Sequence, residues 1–294
     1  MKHILTKLAA VCSSALLLLT GCTENPEQSA PSAVNTNTSD GSEITTEFKI
    51  SSFDVGKGDA FLLQTADNAV MIDTGYQSDG KSLTKKLMKN GVSTINTLII
   101  THFDKDHVGG AAKILNSLKV ENIYVPDYIS DSDEYKEFKQ AADKSSATLN
   151  VMKAADSTSW QAGEVTYRLY APNDTFYGKD EENDYSLALY IQHGANTFLF
   201  PGDAENTRMQ ELINLGLGAV TFLKFPYHGN YLKKTETFLD AYAPKYTIVT
   251  SSDKEPAESS TIETLKKRGV EAYYMQNGDV TVLSDGKTLT CTQK

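Results

Sequence analysis

The chain has 294 residues, 40% of them hydrophobic and 22% charged, and its 28 basic and 38 acidic side chains give a formal net charge of −10. This composition supports a proper core, in one large domain or two small ones, and excludes a chain disordered throughout. It disfavours a polybasic nucleic-acid binder, which needs clustered Lys and Arg against phosphates. The cysteines, Cys12, Cys22 and Cys291, are too few and too scattered for a disulfide framework or a zinc ribbon, so any metal must be held by His and carboxylates.

Lys2 and Lys7 form a short basic region ahead of an apolar run, Leu8 to Leu19. The run is shorter than the roughly 20 residues that span a bilayer and reads as a signal peptide. It ends in Leu19-Thr20-Gly21-Cys22, which resembles the bacterial lipobox. The motif predicts a leader over 1–21, removed so that a lipidated Cys22 becomes the N-terminus. The protein would then sit lipid-anchored on the extracytoplasmic face of the bacterial cell membrane. Loss of Lys2 and Lys7 takes the net charge from −10 to −12. Residues 22–46, rich in Ser, Thr, Asn and Pro, read as a disordered tether with a root-mean-square reach of roughly 25–30 Å. The globular domain is expected over 47–294.

Within it, Phe48 to Val55, Ala60 to Gln64 and Ala69 to Ile72 read as strands separated by turn residues. Ser82 to Lys89 is an amphipathic helix closed by Asn90-Gly91. Thr97 to Ile100 is a continuous apolar run, the mark of a buried strand. It feeds the polar loop Thr101 to His107, then a helix (Gly110 to Leu118) and a strand (Asn122 to Val125). Asp133 to Lys144 is a charged helix. Val165 to Tyr170, Ser186 to Gln192 and Thr197 to Phe200 read as strands, Asn206 to Leu215 as a helix and Thr221 to Phe225 as a strand. Tyr246 to Val249, Ser260 to Arg268 and Glu271 to Met275 repeat strand, helix, strand. A hairpin, Val280 to Leu283 and Lys287 to Cys291, closes the chain. Each half holds an apolar strand that runs into a His-bearing loop and then a helix. This predicts two mixed sheets packed face to face with helices outside.

The chemistry concentrates in Thr101-His102-Phe103-Asp104-Lys105-Asp106-His107-Val108-Gly109-Gly110. Four metal-ligating side chains fall within six residues, directly after a buried strand. Two imidazoles and two carboxylates suit zinc or a similar first-row ion. Gly109-Gly110 removes side chains where the next helix packs closely.

His102 to His107 resembles the H-x-[HD]-x-D-H signature of metallo-β-lactamase-fold hydrolases. With Asp104 in its third position and Val-Gly-Gly after it, the motif is similar to the hydrolase domain of ComEC-type competence proteins. The resemblance extends through Phe53-Asp54-Val55-Gly56-Lys57-Gly58-Asp59-Ala60, with Lys57 where that family has Gln. Met71 to Gly75, Asn183 to Leu187, Phe200 to Glu205 and Leu223 to Gly229 continue it. It implies an α/β fold, the metallo-β-lactamase αββα sandwich. One departure is Tyr227-His228-Gly229 in place of His-His-Gly.

The resemblance implies a binuclear site. His102 and Asp104 would hold one divalent ion, Asp106, His107 and His228 the other, and Asp203 would bridge. The ions would be zinc, with manganese the alternative. Two metals about 3.5–4 Å apart lower the pKa of a bridging water and can clamp a phosphoryl or carbonyl oxygen. Asp106 and Tyr227 are the catalytic candidates. Tyr227 either donates a proton or hydrogen bond to the leaving group or oxyanion, or packs beside Phe225. Asp73 is expected to orient the motif loop by hydrogen bonds. Lys57 either faces an anionic substrate group or is a solvent-facing turn lysine. Asn183, Asp184 and Ser186 either touch substrate and ligands or cap a strand. His193, at a hairpin turn roughly 15 Å from the Asp203 end of its strand, is expected to be a surface residue and not a ligand.

The favoured activity is phosphodiester hydrolysis, with external DNA as the first specific substrate. A lipid or teichoic-acid head group is the alternative, and a non-catalytic metal-binding surface lipoprotein the other class.

Overall fold

The computed structural model describes residues 47–178 and 182–294. The expected leader, the tether and Cys22 lie outside the described residues.

The chain first lays down an antiparallel meander, β1 (Phe48–Ser52), β2 (Phe61–Gln64) and β3 (Ala69–Ile72). Helix α1 (Gly80–Lys89) then carries it to β4 (Thr94–Ile99), parallel to β3. Two short helices, α2 (Lys105–Val108) and α3 (Ala111–Leu115), lead to β5 (Lys119–Pro126), and α4 (Asp133–Lys144) leads to β6 (Thr148–Met152), both strands again parallel to their predecessors. The second sheet repeats the scheme. β7 (Ser157–Ala162), β8 (Val165–Tyr170), β9 (Ala188–His193) and β10 (Asn196–Phe200) are antiparallel. Helices α5 (Asn206–Asn214), α6 (Thr235–Tyr242) and α7 (Ser259–Lys267) then alternate with the parallel strands β11 (Phe222–Lys224), β12 (Tyr246–Val249) and β13 (Glu271–Tyr274). A hairpin, β14 (Val280–Ser284) and β15 (Leu289–Gln293), returns to the first sheet and pairs β14 with β1. Among the described residues the sheets have eight and seven strands, in the orders β15-β14-β1-β2-β3-β4-β5-β6 and β13-β12-β11-β10-β9-β8-β7.

Side-chain alternation along the strands makes the layers. Phe61 and Leu63 of β2 point between the sheets, with Phe48, Ile50, Val70, Tyr167, Ile191, Phe198 and Phe222. Leu62 points the other way, into the layer formed with Leu83, Leu87, Ile114 and Phe138 of α1, α3 and α4. On the far side, Leu199, Leu223 and Val249 meet Met209, Leu212, Phe238, Leu239 and Leu265 of α5, α6 and α7. Central strands covered on both faces are apolar at successive positions, as two-sided burial requires. The expected αββα sandwich of two mixed sheets with outer helices is therefore the observed fold.

Several elements differ from the sequence reading. The first strand stops at Ser52, and β4 begins three residues earlier than Thr97. The helix expected over Gly110 to Leu118 is confined to Ala111–Leu115. Ser186 and Leu187 precede β9 and are not part of it. Strands β6 and β7 were not anticipated. They are the outer strands of their sheets and bury little: β7 alternates only between exposed and half-buried residues, and β6 buries only Met152, so neither has the continuous apolar run of a central strand.

Candidate metal centre

The site lies beyond the carboxyl ends of β3, β4, β10 and β11, where ligands bind in open α/β sheets. Asp73 follows β3 with φ +52° and is fully buried. Its Oδ1 accepts from the Thr101 amide (2.8 Å), and its Oδ2 accepts from the Thr101 hydroxyl (2.7 Å) and faces His107 Nδ1 at 2.8 Å. Asp73 therefore sets both the exit of β4 and the orientation of the His107 ring. The loop between them is held by backbone contacts: Thr74 N donates to His107 O and Gly110 N to Gly75 O. A Cβ on Gly110 would collide with the Thr74 carbonyl oxygen, and one on Gly109 with those of Lys105 and Gln77 N. The two glycines thus accommodate the turn after β3 more than the next helix.

The second half of the site comes from the other sheet. Asp203 follows β10, and its amide donates to Ser186 Oγ (3.1 Å). His228 sits on a short turn, Pro226–Gly229, in which Tyr227 and His228 both have positive φ (48° and 53°). His228 Nδ1 meets Thr250 Oγ1 at 2.9 Å and the Thr250 carbonyl at 3.1 Å.

With Nδ1 of His107 and His228 occupied, their Nε2 atoms converge, 3.4 Å apart. Asp203 Oδ2 lies 2.7 Å from His228 Nε2 and 3.3 Å from His107 Nε2. Asp106 Oδ2 lies 3.1 Å from His228 Nε2. Donor atoms of Asp59, His107, Asp203 and His228 all fall within 4.8 Å of one another. His102 and Asp104 form an adjoining pair: the His102 ring lies against that of His107, centroids 4.0 Å apart and tilted by 47°, and its Nε2 is 3.7 Å from Asp104 Oδ2. His102 Nδ1 is 3.1 Å from Thr101 Oγ1 and 3.4 Å from Ser186 Oγ.

Charge is strongly coupled here. Burial opposes protonation of His107, but Asp203, Asp73 and Asp59 outweigh it and hold the imidazole well above its ordinary range. Burial likewise opposes protonation of His228, and Asp203 and Asp106 raise it. For Asp203 burial would favour the neutral acid, yet His228, Lys224 and His107 keep it well below the usual carboxylate range. Asp106, partly desolvated but bonded to His228 and near His107, is lowered to about 2. Protonated imidazoles thus offset the carboxylates. A divalent cation would replace those protons, the usual exchange at a His/carboxylate site. The donor set fits such an ion: His102 Nε2 and Asp59 Oδ1 are buried without a hydrogen-bond partner, and the His107 and His228 rings are held through Nδ1 by Asp73 and Thr250, as the rings of ligating histidines usually are.

Of the other candidates, Tyr227 is half-buried on the rim. Burial and the nearby Glu205, Asp203 and Asp104 raise its phenol above its ordinary value. Asn183 Nδ2 donates to Glu205 Oε1. Asp184 accepts from the amides of Glu205 and Arg208 and so caps α5. Lys57 Nζ is 3.6 Å from Glu255 Oε1, in a cleft of about 650 Å³ that also holds Asp54, Asp79, Asp253 and Lys254.

His193 is buried, where its hairpin position predicts a surface residue. It is 1% exposed, its Nδ1 is 2.9 Å from Ser284 Oγ, and its ring meets Phe48 edge-on. The β14–β15 hairpin folds over the β9–β10 turn, with Ala195 N donating to Gly286 O, and so buries a residue that strand geometry alone places at the surface. It lies outside the group of converging donors.

Sequence reasoning assigned no role to Asp59 or Lys224. Lys224 is fully buried at the end of β11, with Nζ 2.7 Å from Asp59 Oδ2 and 2.8 Å from Asp203 Oδ1. The available signal was a lysine ending an apolar strand, since lysine is almost never fully buried unpaired.

The model of the metallo-beta-lactamase superfamily matches residues 53–249, and the chain belongs to that superfamily. Its curated relatives are ComEC-type competence proteins. It is 25% identical over 227 residues to ComE operon protein 3 of Bacillus subtilis, covering 71% of this chain and 29% of that protein. It is 24% identical over 214 residues to Recombination protein 2 of Haemophilus influenzae, covering 71% and 25%. The chain thus spans under a third of the length of these relatives. Among solved structures, CmlA, a diiron beta-hydroxylase from Streptomyces venezuelae, shares the fold with a TM-score of 0.50 and 12% identity, over 84% of this chain and 54% of that one.

Proposed function

We propose that the domain is a metal-dependent hydrolase that cleaves phosphodiester bonds, exported and lipid-anchored through Cys22. The observation that carries the hydrolytic reading is the convergence of two imidazole Nε2 atoms on the carboxylate oxygens of Asp203 and Asp106. In this reading His102 and Asp104 hold one divalent ion, Asp106, His107 and His228 the other, and Asp203 is shared. Zinc suits the imidazole-rich set, with manganese the alternative. Such ions would supply an activated water and a clamp on the phosphoryl oxygens. Asp106 serves as ligand and keeps His228 oriented, and the Tyr227 phenol donates toward the leaving oxygen.

Kinship with competence proteins supports DNA as the substrate, giving a nuclease-like enzyme. The acidic net charge and the carboxylates of the Lys57 cleft favour a second reading. In that reading the substrate is a smaller phosphodiester, such as a lipid or teichoic-acid head group, because a polyanion is repelled by like charge.

The test is metal analysis of the purified full chain, followed by assays on single- and double-stranded DNA, a chromogenic phosphodiester and glycerophosphodiesters. Two ions per chain with chelator-sensitive turnover on any of these supports the reading. Bound metal with no phosphodiester turnover would leave a metal-binding lipoprotein instead. Cys22→Ala should release the protein from membranes or block its processing, and unchanged fractionation and processing would defeat the anchor.

A further inference from the structure

Lys224 brings to the site a buried positive charge that offers no lone pair to a metal. Its side chain is 1% exposed. An ammonium carries three N–H donors and no acceptor, and here it meets three oxygens: Asp59 Oδ2 at 2.7 Å, Asp203 Oδ1 at 2.8 Å and the Gly202 carbonyl at 2.9 Å. Desolvating an ammonium is costly unless every donor is matched, so this geometry is closely specified.

The consequence falls on Asp203. Its amide is tied to Ser186 Oγ and its Oδ1 to the ammonium, which leaves Oδ2 as the oxygen turned toward His228 and His107. A carboxylate free to rotate can chelate one cation through both oxygens. Held this way, it presents a single oxygen between two positions. Asp59 extends the arrangement across the sandwich, because its amide donates to the Asp106 carbonyl (3.1 Å) inside the metal-binding motif. One ammonium thereby joins the β10 end of one sheet to the motif loop of the other.

We propose that Lys224 is a positioning residue of the metal centre, an internal ammonium that fixes Asp203 so that only Oδ2 is offered to the metal positions. The proposal rests on the metal-centre reading above.

Charge and position make opposite predictions. By Coulomb's law, removing a positive charge beside a cation site tightens cation binding. Losing the fixed carboxylate loosens it. Metal-stripped full-length protein is titrated calorimetrically with Zn²⁺, and the Co²⁺-loaded form is read by its visible spectrum. Lys224→Met is expected to bind one of two ions at least about 10-fold more weakly, against the sign of the charge effect, with an altered cobalt spectrum. Lys224→Met/Asp59→Asn, which leaves the net charge unchanged and leaves no buried carboxylate unpaired at position 59, guards against misfolding; because Asp59 is itself among the converging donors, it is read against Asp59→Asn alone and should bind one ion more weakly than that variant. Lys224→Arg keeps the charge in a planar fork that cannot meet three convergent oxygens, and it should not restore the wild-type spectrum.

Unchanged or tighter binding with an unchanged spectrum, in whichever of the first two variants melts cooperatively, overturns the proposal. So does full restoration by arginine. A wild-type chain that binds no divalent ion would sink the metal-centre reading itself. Normal wild-type binding with unaffected variants would sink the role of Lys224 alone.

Discussion

Of the five non-glycine residues with positive φ among the described residues, three, Asp73, Tyr227 and His228, stand at the candidate metal centre; the others are Ala155 and Ala243. Such conformations cost of order 1–3 kcal/mol each and persist where the surroundings over-determine them. Here the determinants are visible: Asp73 is tied to Thr101 and His107, and His228 to Thr250 and Asp203. Removing Asp203 should strip the shared oxygen, so Asp203→Ala is expected to lose both metal and turnover, measured by metal analysis and initial rates. Tyr227→Phe takes away only a hydroxyl that burial and neighbouring carboxylates keep protonated. It should lower the rate by roughly 100-fold with metal content unchanged. An unaltered rate would assign Tyr227 to packing. His193→Ala should leave metal binding intact but lower stability by about 2 kcal/mol, because it opens a cavity and removes one of the partners of the Ser284 hydroxyl, which keeps those from Asn196 and Gly286. A thermal melt distinguishes this from the near-neutral effect of a surface change.

At the scale of the element, the β14–β15 turn has a pH response of its own. The Asp285 carboxylate accepts from the amides of Thr288 and Lys287 and from the Thr288 hydroxyl. These bonds lower it from an ordinary 3.8 to about 2. A folded value below the unfolded one means that the contribution is complete above about pH 4 and is lost as pH falls through about 2. Carboxyl NMR should show that depressed midpoint, and Asp285→Asn should speed amide exchange at Thr288 near neutral pH. The sequence made some elements legible and left others hidden. β3, β8, β12 and α4 were read to the residue because their apolar period or charge pattern is complete. The His102–His107 motif was legible as a candidate site because its side chains are local in sequence. Asp59 and Lys224 were not, since their partnership joins a loop of one sheet to a strand end of the other, and the burial of His193 was not, because a hairpin some ninety residues later covers it.

For the whole molecule, the site is a seam. Asp73 and the motif loop come from one sheet, Asp203, Lys224 and His228 from the other, and the acids outnumber the bases around it. Metal should therefore bind folded protein far better than unfolded. Ligand in thousandfold excess over its Kd stabilises by about 4 kcal/mol, so chelation should lower the melting temperature by several degrees, and readdition of Zn²⁺ or Mn²⁺ should restore it. An unmoved midpoint would place no metal across the seam. The β14 pairing carries a different consequence, for the order of assembly. β1 is flanked by β2 on one side and by β14 on the other, with Phe48 opposite Ser284. Until residues 280–293 have been synthesised, β1 shows an open row of amides and carbonyls, the kind of edge that recruits other chains. A nascent chain can thus build its βαβ units early but must wait for its last hairpin to close the first strand it made, and a ribosome-stalled chain lacking that hairpin should be sensitive to protease around β1.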